Sequence, residues 1–274
     1  MLDPEVAREV LSRFKVEDRV SILDAVNLGD KSKMELETWG LFCACLMWGG
    51  IEGRRKSLED FYKRLDNRFV VFLKNPRTEL LRCIFPNKPN LLIGLCQTIN
   101  DILIEYETIG NLVSEEQNVI SAIFKLGNTI WKKQSKLTLD NRLKGLPKIP
   151  TSEPPGTDKE KKEQSALKKY CMFFRWMIRD GPPDFGIWDF FDKRDLFHPI
   201  DRHVAQILQR WEVLSDNSPN WFNVERVTEY FRRVEPDDPL KFDYHLVTFG
   251  QRFCKKDGPM CWKCPVRPHF ECDL

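Results

Sequence analysis

Three groups of residues in this 274-residue chain could do chemistry. The first is a set of four cysteines in the segment FCKKDGPMCWKCPVRPHFECDL. Cys254, Cys261, Cys264 and Cys272 follow the spacing C-x6-C-x2-C-x7-C. Four thiolates in one compact, helix-poor segment supply the ligands of a tetrahedral metal or a cubane cluster. A zinc ribbon more often shows two C-x-x-C pairs. One such pair flanked by two single cysteines favours a [4Fe–4S] cluster, with zinc as the alternative. The other five, Cys43, Cys45, Cys83, Cys96 and Cys171, lie in apolar helical stretches and read as small core hydrophobes.

The second group is the adjacent pair Lys168 and Lys169 in QSALKKYCMFFRWMIR, with Leu167, Tyr170, Cys171, Phe174 and Ile178 as a buried stripe. A lysine at the start of so apolar a helix can be partly desolvated, which lowers its pKa and makes it a usable amine nucleophile. The competing reading is an ordinary surface lysine. The third group is Asp201 in HPIDRHVAQILQRW, at the N-cap position of an amphipathic helix whose stripe is Ile200, Val204, Ile207, Leu208 and Trp211. Its carboxylate is either a cap only or a cap that also serves chemistry.

The elements that must position these residues are helices. Apolar residues recur every three to four positions over 3–28, 35–48, 56–74, 89–107, 115–135, 164–179, 201–214 and 221–233. Breaker-rich stretches separate them: GGIEG, FPNKPN, KGLPKIPTSEPPGTDK, RDGPPDFG and VEPDDP. Alternating strand patterns are scarce, so the expected fold class is all-α. No run of about 18 apolar residues suggests a membrane span. The acidic, amphipathic start MLDPEVAREVLSRF is unlike a signal peptide, and the expected location is intracellular. In that setting nine cysteines are not expected to form disulfides. Net charge is only +2, but basic residues cluster at 54–56, 131–148, 159–162 and 255–256.

The Asp-x-His-Val start at 201–204 followed by the four-cysteine segment resembles the helix-hairpin-helix DNA glycosylases of the endonuclease III superfamily. The block KKYCMFFRWMIR…LFHPIDRHV…DPLKFDYHLVTFG is similar to a prokaryotic branch of that superfamily, and the lysine–aspartate spacing to archaeal 8-oxoguanine glycosylases. The resemblance is close over about 160–274 and looser over 35–135. It implies that Asp201 is the catalytic aspartate and that Cys254, Cys261, Cys264 and Cys272 hold the cluster. It places the lysine nucleophile at Lys168 or Lys169; Lys168 is preferred because six positions on, where the family is apolar, it finds Phe174 rather than Arg175. Two departures stand out: the hairpin L-P-G-[VI]-G-x-K has no counterpart, and the last cysteine spacing is x7 rather than x5.

The resemblance further implies two helical lobes around a basic cleft, 1–34 with 195–274 and 35–194. The expected activity is a DNA glycosylase/AP lyase on duplex DNA carrying a damaged base, oxidised purine first and oxidised or deaminated pyrimidine next. The chain is expected to be monomeric. Arg54, Arg55, Lys56, Lys255, Lys256 and Arg267 are candidate phosphate contacts, and Trp48 is either a wedge or a core residue. Two rival readings remain: a non-catalytic module that recognises lesions, and a zinc-stapled helical interaction protein.

Overall fold

The computed structural model describes residues 1–13, 31–46, 51–66, 68–143, 146–181, 183–255 and 258–272, without the side chains of 51–54. Trp48, Lys256, the Arg54 side chain and the expected helix 3–28 beyond Arg13 lie outside the described residues. Among those described there is no strand, only an isolated antiparallel bridge between Ser165 and Asn220. The chain is all-α. No helix among the described residues is long and apolar enough to cross a membrane.

The chain divides into two compact units. One comprises Val20–Pro154 with Trp176–Phe191, the other Met1–Arg19, Pro155–Arg175 and Asp192–Leu274. Relative to the lobes expected from sequence, 155–175 groups with the terminal segments rather than the central ones. Backbone bonds explain this: Ala166 N–H donates to the Pro219 carbonyl at 3.0 Å and Trp221 N–H to that of Gln164 at 2.8 Å.

The central unit contains α2 (Lys33–Cys45), α3 (Ile51–Arg64), α4 (Phe69–Lys74), α5 (Thr78–Leu81), α6 (Pro89–Tyr106), α7 (Ile109–Val113) and α8 (Val119–Ser135). Its core helix is α2, capped by Ser32 and buried from Glu35 to Cys45 except for Leu36. Two acids in an apolar helix would be costly unless paired. Both are satisfied by other helix starts, whose first amides lack intrahelical partners. Glu35 accepts from the Tyr62 hydroxyl at 3.0 Å and from the Phe69 and Val70 amides at 2.6 and 3.0 Å. Glu37 accepts from the Ile109 and Gly110 amides at 3.0 and 3.1 Å, and from the Trp188 indole at 2.7 Å. The helix expected over 56–74 is therefore two helices. Asp66, at φ +50°, ends the first, and the freed amides of the second face Glu35.

The terminal unit contains α1 (Pro4–Ser12), α9 (Asp158–Glu163), most of α10 (Lys168–Ile178), α11 (Arg202–Arg210), α12 (Trp221–Val234) and α13 (Asp243–Phe253). Helix α13 has no counterpart in the sequence reading. It crosses α11 at Gly250, where a Cβ would stand 2.3 Å from Ile207 Cδ1 and 2.8 Å from His203 Nε2. Any side chain there would force the Ile207 and His203 side chains to move. The helix expected over 201–214 stops at Arg210, because Glu212 adopts φ +55° and the Val213 amide turns back to the Leu208 carbonyl. A buried ion pair, Arg175 to Asp243 at 2.5 Å, joins α10 to α13. His198, fully buried, lies 3.7 Å from the same carboxylate and stacks on Phe231.

Candidate active site and cysteine loop

Helix α10 begins later than its apolar pattern suggests. Residues 164–166 are extended by their bonds to 219–221, and Leu167 then turns the chain through φ +50°. This backbone conformation is uncommon for a residue with a Cβ, and such strain persists only where the surroundings over-determine it. Leu167 is held by burial and by the Tyr170 and Cys171 amides, which donate to its carbonyl. Lys168 thereby becomes the first residue of α10.

Asp201 is the N-cap of α11. Its Oδ1 accepts from the amides of His203 at 3.0 Å and Val204 at 2.9 Å, while Oδ2 accepts from Lys168 Nζ at 2.6 Å. Two helix starts thus present a lysine and a carboxylate to each other within one unit, and both side chains are half-exposed. Burial alone would raise the Asp201 pKa. The Lys168 ammonium, its hydrogen bond, the Val204 amide and the His203 charge outweigh this and hold the carboxyl below its usual range. The neighbouring Lys169 is one helical step of about 100° away. Phe174 and Arg175, six positions on from the two lysines, are both buried, the latter by pairing with Asp243.

The four C-terminal cysteines surround a short 3-10 turn, Cys261–Lys263, with Cys254 at the end of α13. Among the described residues no three His, Cys, Asp or Glu side chains stand ready to hold a metal. The thiols nonetheless feel one another. Burial and then the charges of Cys264, Cys254 and Cys261 push the Cys272 thiol up to about 12, while Cys264 is raised by burial and by Cys254 and Cys261. Arg210 donates to the Cys254 carbonyl at 3.2 Å and lies 3.1 Å from its Sγ. The donor chemistry fits a group ligated by four thiolates, and loading would have to draw the side chains together. Cys43, Cys45, Cys96 and Cys171 are buried and Cys83 half-buried; burial raises the thiols of Cys43, Cys83, Cys96 and Cys171.

Of the candidate phosphate contacts, Arg55 lies 4.0 Å from Glu59 and Lys56 is exposed, both on α3. Lys255 and Arg267 are exposed in the cysteine segment. The sequence reading passed over Glu35, Glu37 and the Arg175–Asp243–His198 group. An E-x-E pair inside the apolar stretch KMELETWGLFCAC was the available signal for the first two.

This is an all-α chain with a lysine–carboxylate pair shared by two helix starts. The family described as "Protein of unknown function (DUF2400)" matches residues 26–252, and the chain belongs to it. All four C-terminal cysteines lie beyond the matched residues. A 72-residue stretch, 26% of this chain, is 32% identical to "Endonuclease III" of Sulfolobus acidocaldarius. That stretch covers 30% of the relative, so the chain spans under a third of the length of the protein it matches. No solved structure matches.

Proposed function

We propose that this chain is a DNA glycosylase with AP lyase activity that removes a damaged base, oxidised purine first, from duplex DNA. The observation that carries the reading is the 2.6 Å contact between Lys168 Nζ and Asp201 Oδ2 at the start of α11. The partial similarity to an endonuclease III supports the same substrate class.

A base within a duplex shields its glycosidic carbon, so the nucleotide must first be flipped out, at a cost of a few kcal/mol. As the C1′–N bond breaks, positive charge grows on the sugar and the base departs with the electron pair. A carboxylate held below its usual pKa is a poor proton store but a good electrostatic partner for that charge. The Lys168 amine, once its proton has gone to solvent or to the departing base, bonds to C1′. Loss of a proton and opening of the ring give a Schiff base, from which β-elimination breaks the C3′–O bond. Cys254, Cys261, Cys264 and Cys272 would hold a [4Fe–4S] group that ties down a segment with little core of its own. Exposed Lys255 and Arg267 of the terminal unit would contact phosphates, as would Arg55 and Lys56 of α3 in the central unit.

Borohydride trapping tests the reading. With single-lesion duplexes the wild type should leave a covalent adduct on a denaturing gel, and Lys168→Gln should leave none. A wild type that forms no adduct yet binds lesion duplexes selectively would instead establish the non-catalytic module, which the missing hairpin motif favours.

A further inference from the structure

The terminal unit carries a groove of about 900 Å³ between α9, the C-terminal half of α11 and α12. It does not include Lys168 or Asp201. Its central feature is the half-buried Phe222 ring, which carries two cations: Lys162 Nζ lies 4.9 Å and the Arg226 guanidinium 4.7 Å from the ring centroid. Both cations are exposed, and neither forms an ion pair among the described residues.

Cations so close together repel, and surface helices usually relieve this with a carboxylate one turn away. Here all but one of the acids on the groove and on α12 are committed elsewhere. Glu225 pairs with Lys161 at 2.8 Å and accepts from the Trp221 indole, and Glu229 lies 3.9 Å from Arg232. Asp216, the acid that senses Lys162, already accepts from the Ser218 amide and the Asn223 side chain. On the groove wall, Glu212 pairs with the Met1 amine at 2.7 Å, which leaves Asp158, one turn before Lys162 on α9, as a single acid against the two cations. Arg210 also faces the groove but is bonded to Cys254.

We infer that this groove binds a segment of single-stranded nucleic acid, with phosphates on Lys162 and Arg226 and a base against Phe222. The combination of unpaired cations with an aromatic face is what sequence-tolerant single-strand sites use. Phosphates that neutralise the two cations would draw them off the ring they cover, which frees a face of Phe222 for a base, and Gln206 offers an amide to the base edge. A duplex offers a concavity only its phosphates, and an acidic peptide leaves the ring without a planar partner. The inference is independent of the role given to Lys168.

Fluorescence anisotropy with labelled octathymidylate tests it, using the full chain and a charge-matched control, K74A/R77A, on the central unit. K162A/R226A should weaken binding at least tenfold, and it should flatten the log–log salt slope by about 1.4, or roughly 0.7 for each phosphate released. F222L keeps both charges and should weaken binding about tenfold, equivalent to one lost base stack, with the slope unchanged. All three variants should melt close to the wild type, since the cations are exposed and leucine keeps an apolar side chain at a half-buried position. Three outcomes overturn the proposal: oligonucleotide binding that K162A/R226A leaves within twofold, equal losses in K74A/R77A, or a labelled polyglutamate bound as tightly as the oligonucleotide.

Discussion

Gly250 of α13 and Ile207 of α11 approach so closely that a Cβ on the glycine would stand 2.3 Å from Ile207 Cδ1. His203, whose amide donates to Asp201, meets the same glycine with its ring, so a bulkier residue at 250 would disturb the start of α11 as well as its middle. Gly250→Ala should therefore cost stability, by about 1 to 3 kcal/mol for overpacking a dense core, and should also reduce Schiff-base trapping in protein that remains folded. Chemical denaturation and trapping yield measured side by side check this. A wild-type denaturation midpoint would show that the two helices separate without cost.

Asp201 accepts three bonds with two oxygens, two from the amides of α11 and one from Lys168, and substitution can divide them. Asparagine caps a helix about as well as aspartate, so Asp201→Asn should change folding stability by about 1 kcal/mol or less. The loss of charge should slow base removal on the order of a hundredfold. Lys169→Gln should leave the trapped adduct largely intact. If Lys169→Gln removes the adduct and Lys168→Gln does not, the nucleophile has been assigned to the wrong lysine.

Burial holds the His198 imidazole down at about 4; Asp243 pulls it up and Arg175 pushes it further down. Between that value and the ordinary 6.5, the unfolded chain binds a proton that the folded chain refuses. The contribution of this group is therefore full above about pH 6.5 and falls as pH drops toward 4, by about 3 kcal/mol at roughly 1.4 kcal/mol per unit. His198→Phe, which can keep the stacking on Phe231, should flatten this part of the stability profile. Urea midpoints between pH 4 and 7 are the measurement, and parallel profiles for variant and wild type would refute the assignment.

Freshly prepared protein should be yellow-brown and carry about four irons per chain if the C-terminal thiols hold a cubane. Cys264→Ser should bleach it and loosen the segment after α13, read as faster proteolysis beyond residue 253. One zinc and no iron per chain would replace the cluster by the zinc alternative. Metal-free wild type with a protease-resistant C-terminus would remove both.

Much of the fold was legible because its helices carry apolar stripes at helical spacing. Asp201 was legible as a cap because an N-cap is a local matter of one side chain and the next three amides. The start of α10 was not, since it depends on bonds from 164–166 to 219–221, more than 50 residues away. The break between α3 and α4 was hidden for the same reason: Glu35, more than 30 residues upstream, accepts the amides that the break frees. Arg175 shows the limit of polarity as a guide to burial, because its partner Asp243 lies 68 residues on, in a helix the sequence did not reveal.

The bond from the Trp188 indole to Glu37 spans 151 residues. On a ribosome adding about 5 to 20 residues per second, the acid is made roughly 8 to 30 s before that donor. Glu37 has none of its donors until residues 109 and 110 are made, and from then until residue 188 it has only the amides of α7. Final closure of the central unit must therefore wait until synthesis has passed residue 188. A nascent chain stalled before that point would expose an incompletely paired acid in an apolar helix, a natural target for a holding chaperone.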